Sequence, residues 1–113
     1  MMAVVVSQRD LEDLADPGAR SIIAAGPDGP TDIVVVRWQG ASYAYLNRCP
    51  HLGTPLETVP DRFFTSDGKR LLCSTHGAEF QVADGICVRG PCRGRRLEPI
   101  AVELVTEIAG QGG

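Results

Sequence analysis

Cys49-Pro50-His51-Leu52-Gly53 and Cys73-Ser74-Thr75-His76-Gly77 are the two runs on which the reading of this chain turns. Each brings one thiol and one imidazole together in a short run closed by glycine. The chain holds only two histidines, and each stands beside a cysteine in a separate run. Ordinary core cysteines and satisfied histidines would have to reach this pairing twice by chance. Thiolates suit iron–sulfur clusters, copper(I) and zinc, while imidazole accepts iron, copper or zinc. Zinc fingers usually pair Cys with Cys and His with His, whereas each run here mixes them. That weighs against a structural zinc site but leaves it open.

Outward from these runs, the chain from Asn47 to about Cys92 is loop-rich and contains all four cysteines and both histidines. Short strands are expected at Arg70–Cys73, Glu79–Val82 and Gly85–Val88, separated by turns such as Asp67-Gly68 and Asp84-Gly85. On either side the texture is different. Ala3–Val6, Ser21–Ala25, Asp32–Trp38 and Ser42–Leu46 are short, rich in β-branched residues and read as strands, as does Pro99–Val105. Within Ile33-Val34-Val35-Val36 the alternation is lost, which predicts a strand buried on both faces. Asp16-Pro17-Gly18, Gly26-Pro27-Asp28-Gly29-Pro30 and Gln39-Gly40 supply turn chemistry. Only Ser7–Leu14 suits a short helix, with Ser7 as N-cap. The expected fold is all-β, a single domain over 1–108. An antiparallel β scaffold from 1–46 and 93–108 would carry an inserted loop-rich subdomain at about 47–92, and 109–113 would be a flexible tail.

The bulk properties narrow the function classes. At 113 residues, 43% hydrophobic and 22% charged, the chain suits one small globular domain. With 11 basic and 14 acidic side chains the net charge is −3, which gives no footprint for nucleic acid. No run approaches the roughly 20 apolar residues of a membrane span. The apolar Met1–Val6 meets Gln8-Arg9-Asp10 too soon for a signal-peptide core. A soluble, cytoplasmic protein is expected. In that reducing setting its cysteines read as ligands or thiols rather than a disulfide framework.

With its Cys-x-His and Cys-x-x-His runs, the sequence resembles the Rieske ferredoxin family over nearly its whole length. Phe80, Gly85 and Gly90-Pro91 also fall where that family has an aromatic, a glycine turn and a proline loop. The resemblance implies one Rieske-type 2Fe–2S cluster, with Cys49 and Cys73 on the buried iron and His51 and His76 on the outer one. It implies an electron carrier between a flavin reductase and a terminal oxygenase or other oxidoreductase, with no substrate site of its own. Two alternatives stand beside it: a small Rieske subunit of a larger oxidoreductase, as in nitrite reductases, and a redox-sensing or zinc structural module. A self-sufficient oxygenase is not expected, because the second iron needs two further histidines and a carboxylate.

The departures from the family pattern are informative. Where high-potential members carry two further cysteines in a disulfide, this chain resembles them with Thr54 and Thr75. Where they place a serine and a tyrosine that donate toward cluster sulfur, it has Ala78 and Phe80. Loss of such donors predicts a low-potential centre. Cys87 and Cys92 fall outside the ligand runs and read as small buried thiols filling space; a disulfide between them is the alternative, which a reducing cytoplasm disfavours. Arg89, Arg93, Arg95 and Arg96 form either a basic collar that steers an acidic redox partner or a solvated turn paired with nearby acids. Trp38, Tyr43 and Tyr45 read as core or strand-face aromatics.

Overall fold

The structure, a computed structural model, describes residues 3–48, 50, 63–73 and 77–105. Within these, the chain forms β1 (Ala3–Ser7), a short helix α1 (Gln8–Glu12), β2 (Gly18–Gly26), β3 (Gly29–Trp38) and β4 (Ala41–Leu46). There follow β5 (Arg70–Cys73), β6 (Ala78–Gln81), β7 (Cys87–Arg89) and β8 (Ala101–Val105). The Ser7 side chain caps α1 by accepting from Arg9 N at 3.3 Å, as expected of a serine at that place.

The scaffold is a five-stranded sheet in the order β4-β3-β2-β1-β8. β2 and β3 form a long hairpin in which Gly26 faces Gly29, so both strands run up to the Pro27-Asp28 turn and exceed the lengths expected from the sequence. At the other end Gln39 and Gly40 both take positive φ, 51° and 80°, the conformation that suits the twist of a two-residue hairpin loop. The Asp16 carboxylate accepts from both of their amides at 2.8 Å, fixing the β3–β4 turn to the segment that precedes β2.

β3 is buried on both faces. Ile33 and Val35 join Val4, Val6, Leu14 and Ala24 in one core, while Val34 and Val36 join a second core with Tyr45, Phe63, Leu71, Phe80, Val82 and Leu97. Period-two alternation of side chains explains why one unbroken apolar run feeds two cores.

The scaffold departs from the expected antiparallel pattern at one edge. β8 runs parallel to β1, with Ala3 facing Ala101 and Ser7 facing Val105. Just before β8, Leu46 N donates to Glu98 O at 2.9 Å and Ile100 N to Ala44 O at 3.1 Å. The returning chain therefore pairs with β4 first and β1 next, and the sheet curls round until its two edges share one segment. That covers edges which would otherwise present unpaired backbone groups.

The smaller antiparallel sheet, β5-β6-β7, packs its inner face on Val34, Val36 and Tyr45. Leu72 N donates to Phe63 O, and Ile86 bridges to Arg96, so both flanking segments extend this sheet. Tyr45 links the two layers: its hydroxyl donates to Val82 O at 2.6 Å. Gly85, at φ 74°, admits the ring; a Cβ there would stand 2.8 Å from Tyr45 Cε1. Trp38 makes a second link, donating from Nε1 to Gly68 O at 3.1 Å. The three aromatics Trp38, Tyr43 and Tyr45 pack against the second core, as the sequence suggests.

Candidate metal centre

Cys73 ends β5 and is fully buried. It faces Ala78 across the β5–β6 ladder, so only residues 74–77 connect the two strands. Gly77 N donates to Cys73 O at 2.8 Å, and Gly77 takes φ 70°, a left-handed value that favours glycine. The Cys-x-x-His run thus begins on β5 and falls in the connection at one end of the small sheet.

The first run follows β4. Asn47 N donates to Asp32 O at 3.0 Å and its Nδ2 to Asp32 Oδ1 at 3.3 Å, fixing the chain as it leaves the scaffold. Two residues further on, Cys49 lies outside the described residues, as do His51, Thr54, Thr75 and His76. Pro50 is described, and its carbonyl accepts from Arg95 Nη1 at 3.1 Å.

Arg95 belongs to a third segment, the turn after β7. Its backbone is pinned: Arg93 N donates to Gly90 O, Gly94 N to Cys87 O, Arg95 N to Cys92 O and Cys87 N to Arg95 O, all between 2.7 and 3.2 Å. Gly90, at φ 106°, lies so close to β6 that a Cβ would meet Ala78 Cα at 2.8 Å. The proline-loop turn therefore contacts the residue paired with Cys73 on one side and the Cys49-Pro50-His51 run on the other. This three-way meeting is more than the sequence reveals. Arg95 carries no motif signal that separates it from its arginine neighbours.

The surroundings fit the cluster's chemistry. Cys73 shares its buried core with Leu71, Ala78, Phe80, Cys87 and Cys92 among others, and both Ala78 and Phe80 are wholly buried. A thiolate in that setting is kept from water, and neither side chain at 78 or 80 offers a hydroxyl. Two thiolates with two imidazoles are the donor set of a Rieske 2Fe–2S centre.

The arginines divide between the two readings of the turn. Arg89 approaches Glu79 at 4.0 Å, beside the Arg70–Glu79 pair at 3.3 Å. Arg96 donates to Asp84 O at 3.3 Å and Arg95 to Pro50 O, both backbone oxygens. Among the described residues, no carboxylate pairs with Arg93, Arg95 or Arg96. All four arginines are exposed.

Comparison with known proteins is consistent with this picture. The family model of the Rieske [2Fe-2S] domain matches residues 3–106. Among solved structures, the ferredoxin of carbazole 1,9a-dioxygenase from Nocardioides aromaticivorans IC177 superposes with a TM-score of 0.60 at 24% identity. The match covers 79% of this chain and 78% of that one. A second match is a chain in the complex of carbazole-bound oxygenase, an isoleucine-to-valine variant, and ferredoxin of carbazole 1,9a-dioxygenase. Its TM-score is 0.57 at 15% identity, and the match covers 87% of this chain but 24% of the longer one. No curated protein matches the chain. Both structural likenesses bear on the fold. The match over residues 3–106 shows the family: the chain belongs to the Rieske [2Fe–2S] domain family, and its cofactor is one Rieske-type 2Fe–2S cluster, a one-electron centre that makes it an electron-transfer protein.

Proposed function

We propose that this protein is a ferredoxin of the low-potential kind, in which Cys49, His51, Cys73 and His76 hold the cluster. It takes single electrons from a flavin reductase and delivers them to a terminal oxygenase or other oxidoreductase. The observation that carries the reading is the pair of buried apolar side chains, Ala78 and Phe80, on the strand beside Cys73. Hydrogen bonds from hydroxyls to cluster sulfur favour the reduced, more negative state, and these two positions have none to give. An apolar surround likewise disfavours the added electron. Both effects lower the potential, which suits an electron donor rather than a strong acceptor.

The likeness in fold to a dioxygenase ferredoxin supports a carrier role. The two histidines of this sequence are used by the cluster, which leaves none for a second, substrate-oxidising iron. Acidic partners fit the exposed arginines of the turn beside the centre. No helix among the described residues is long and apolar enough to cross a membrane, and a cytoplasmic setting agrees with cysteines kept as ligands and thiols. The test is anaerobic stopped-flow mixing of the dithionite-reduced protein with an oxidised Rieske oxygenase. Reoxidation of the ferredoxin with matching reduction of the oxygenase is expected. Failure to pass electrons to any oxygenase, alongside rapid transfer to a non-oxygenase reductase complex, would overturn the assignment.

A further inference from the structure

Cys87 and Cys92 are buried, lie outside the ligand runs and stand 2.9 Å apart at sulfur, with Cys92 Sγ donating to Cys87 Sγ. No disulfide joins them. Cys87 opens β7 and Cys92 sits in the turn that follows. The hydrogen bonds of Gly94 N to Cys87 O and Arg95 N to Cys92 O hold the two backbones in place. A disulfide bond is about 2.05 Å long, so bonding needs a closing movement of under about 1 Å. Every residue of the turn from Arg89 to Arg96 is exposed except Cys92, so a small local opening brings that thiol to solvent.

We propose that Cys87 and Cys92 form a reversible dithiol–disulfide pair that latches the turn across the metal centre. The oxidant is a low-molecular-weight disulfide such as glutathione disulfide. One thiol, as thiolate, attacks it and forms a mixed disulfide, releasing one glutathione thiol with the proton. The second thiol then displaces the second glutathione, forming the Cys87–Cys92 bond. The two protein sulfurs together lose two electrons, and one glutathione disulfide becomes two glutathiones.

The position of the pair gives the bond its consequence. Gly90, inside the closed loop, lies against Ala78, and Arg95, just beyond it, holds the Pro50 carbonyl. Cross-linking the loop reduces the open states available to a turn that touches both cluster-bearing segments. Oxidation therefore makes the centre harder to open. That consequence rests on the ligand assignment proposed above; the pairing of the two thiols does not.

The holoprotein is equilibrated anaerobically in glutathione buffers from fully reduced to fully oxidised, quenched in acid denaturant and alkylated with N-ethylmaleimide. Whole-chain mass is expected to show four alkylated cysteines at the reducing end and two at the oxidising end. Tryptic peptides 71–89 and 90–93 should then be joined through Cys87 and Cys92. Four alkylated cysteines at every ratio, or glutathione adducts with no internal link, would overturn the pair. In the same samples, iron release to a chelator should be several-fold slower in the oxidised form, and Cys92→Ser should remove that difference. Equal release rates in the two forms would overturn the latch. The EPR signal of the reduced cluster reports the ligand reading separately, so either idea can fail without the other.

Discussion

Arg95 donates from Nη1 to the carbonyl oxygen of Pro50 at 3.1 Å, tying the turn after β7 to the run that contains Cys49 and His51. An exposed contact of this kind is worth about 1 kcal/mol. If it must break before the ligand run opens, Arg95→Leu speeds iron loss to a chelator by about fivefold. Unchanged release kinetics would show that the contact does not restrain the run.

The missing hydroxyls can be restored. Ala78 pairs with Cys73 across the ladder and is small, so Ala78→Ser adds a donor beside the centre with little change in volume. The midpoint potential should rise by about 60 mV, one tenfold step in a one-electron equilibrium. A potential that stays put or falls would argue that position 78 does not tune the cluster.

Tyr45 joins scaffold to subdomain through its bond to Val82 O. Tyr45→Phe leaves a buried carbonyl without that donor and should cost about 1–3 kcal/mol in denaturant unfolding. The same tyrosine gives a pH signature. Burial above all, with the nearby Asp84 charge and Tyr43 adding to it, pushes its hydroxyl up from 10.0 to about 12. The native state thus keeps a proton that the unfolded chain gives up. This share of stability is fully present below about pH 10 and is lost as pH rises towards about 12. Titrations of unfolding free energy over that window should show a shallower fall in Tyr45→Phe than in the native sequence.

Gly85→Ala tests the same junction from the other side. The new Cβ would stand 2.8 Å from Tyr45 Cε1 and 3.2 Å from Leu97 Cβ, on a backbone at φ 74°. Strain and crowding together should destabilise the fold by at least about 2 kcal/mol. A variant as stable as the parent would mean that the two sheets separate more easily than their packing suggests.

Arg93, exposed and without a carboxylate partner among the described residues, is the arginine best placed to act at long range. Arg93→Glu should slow association with an acidic electron-transfer partner several-fold at low salt and flatten the dependence on ionic strength. Equal rates and equal salt slopes would return the turn to the simpler reading of a solvated surface.

Much of this architecture is legible in the chain. The unbroken Ile33–Val36 run announces a strand with two buried faces. Ser7 announces its helix, and the Gly-rich breaks mark the hairpins. The parallel pairing of β8 with β1 is not legible, because it depends on where the segment 98–100 crosses β4, and that contact has no local signal. Strand lengths at the β2–β3 hairpin are missed for a related reason. Pro30 and Gly26 look like turn residues, yet they sit at the last ladder pairs, where the hairpin tolerates them. At the centre, cysteine and histidine spacing singles out the proposed donor set. The closeness of Cys87 to Cys92 depends on how one turn folds back on β7, which their spacing alone leaves open.

A low-potential Rieske centre that passes single electrons has a direct signature in an EPR-monitored redox titration. A rhombic 2Fe–2S signal should appear on reduction and follow a one-electron curve near the low end of the Rieske range, about −150 mV. A strongly positive midpoint, or a colourless protein that stays EPR-silent after dithionite, would rule such a centre out.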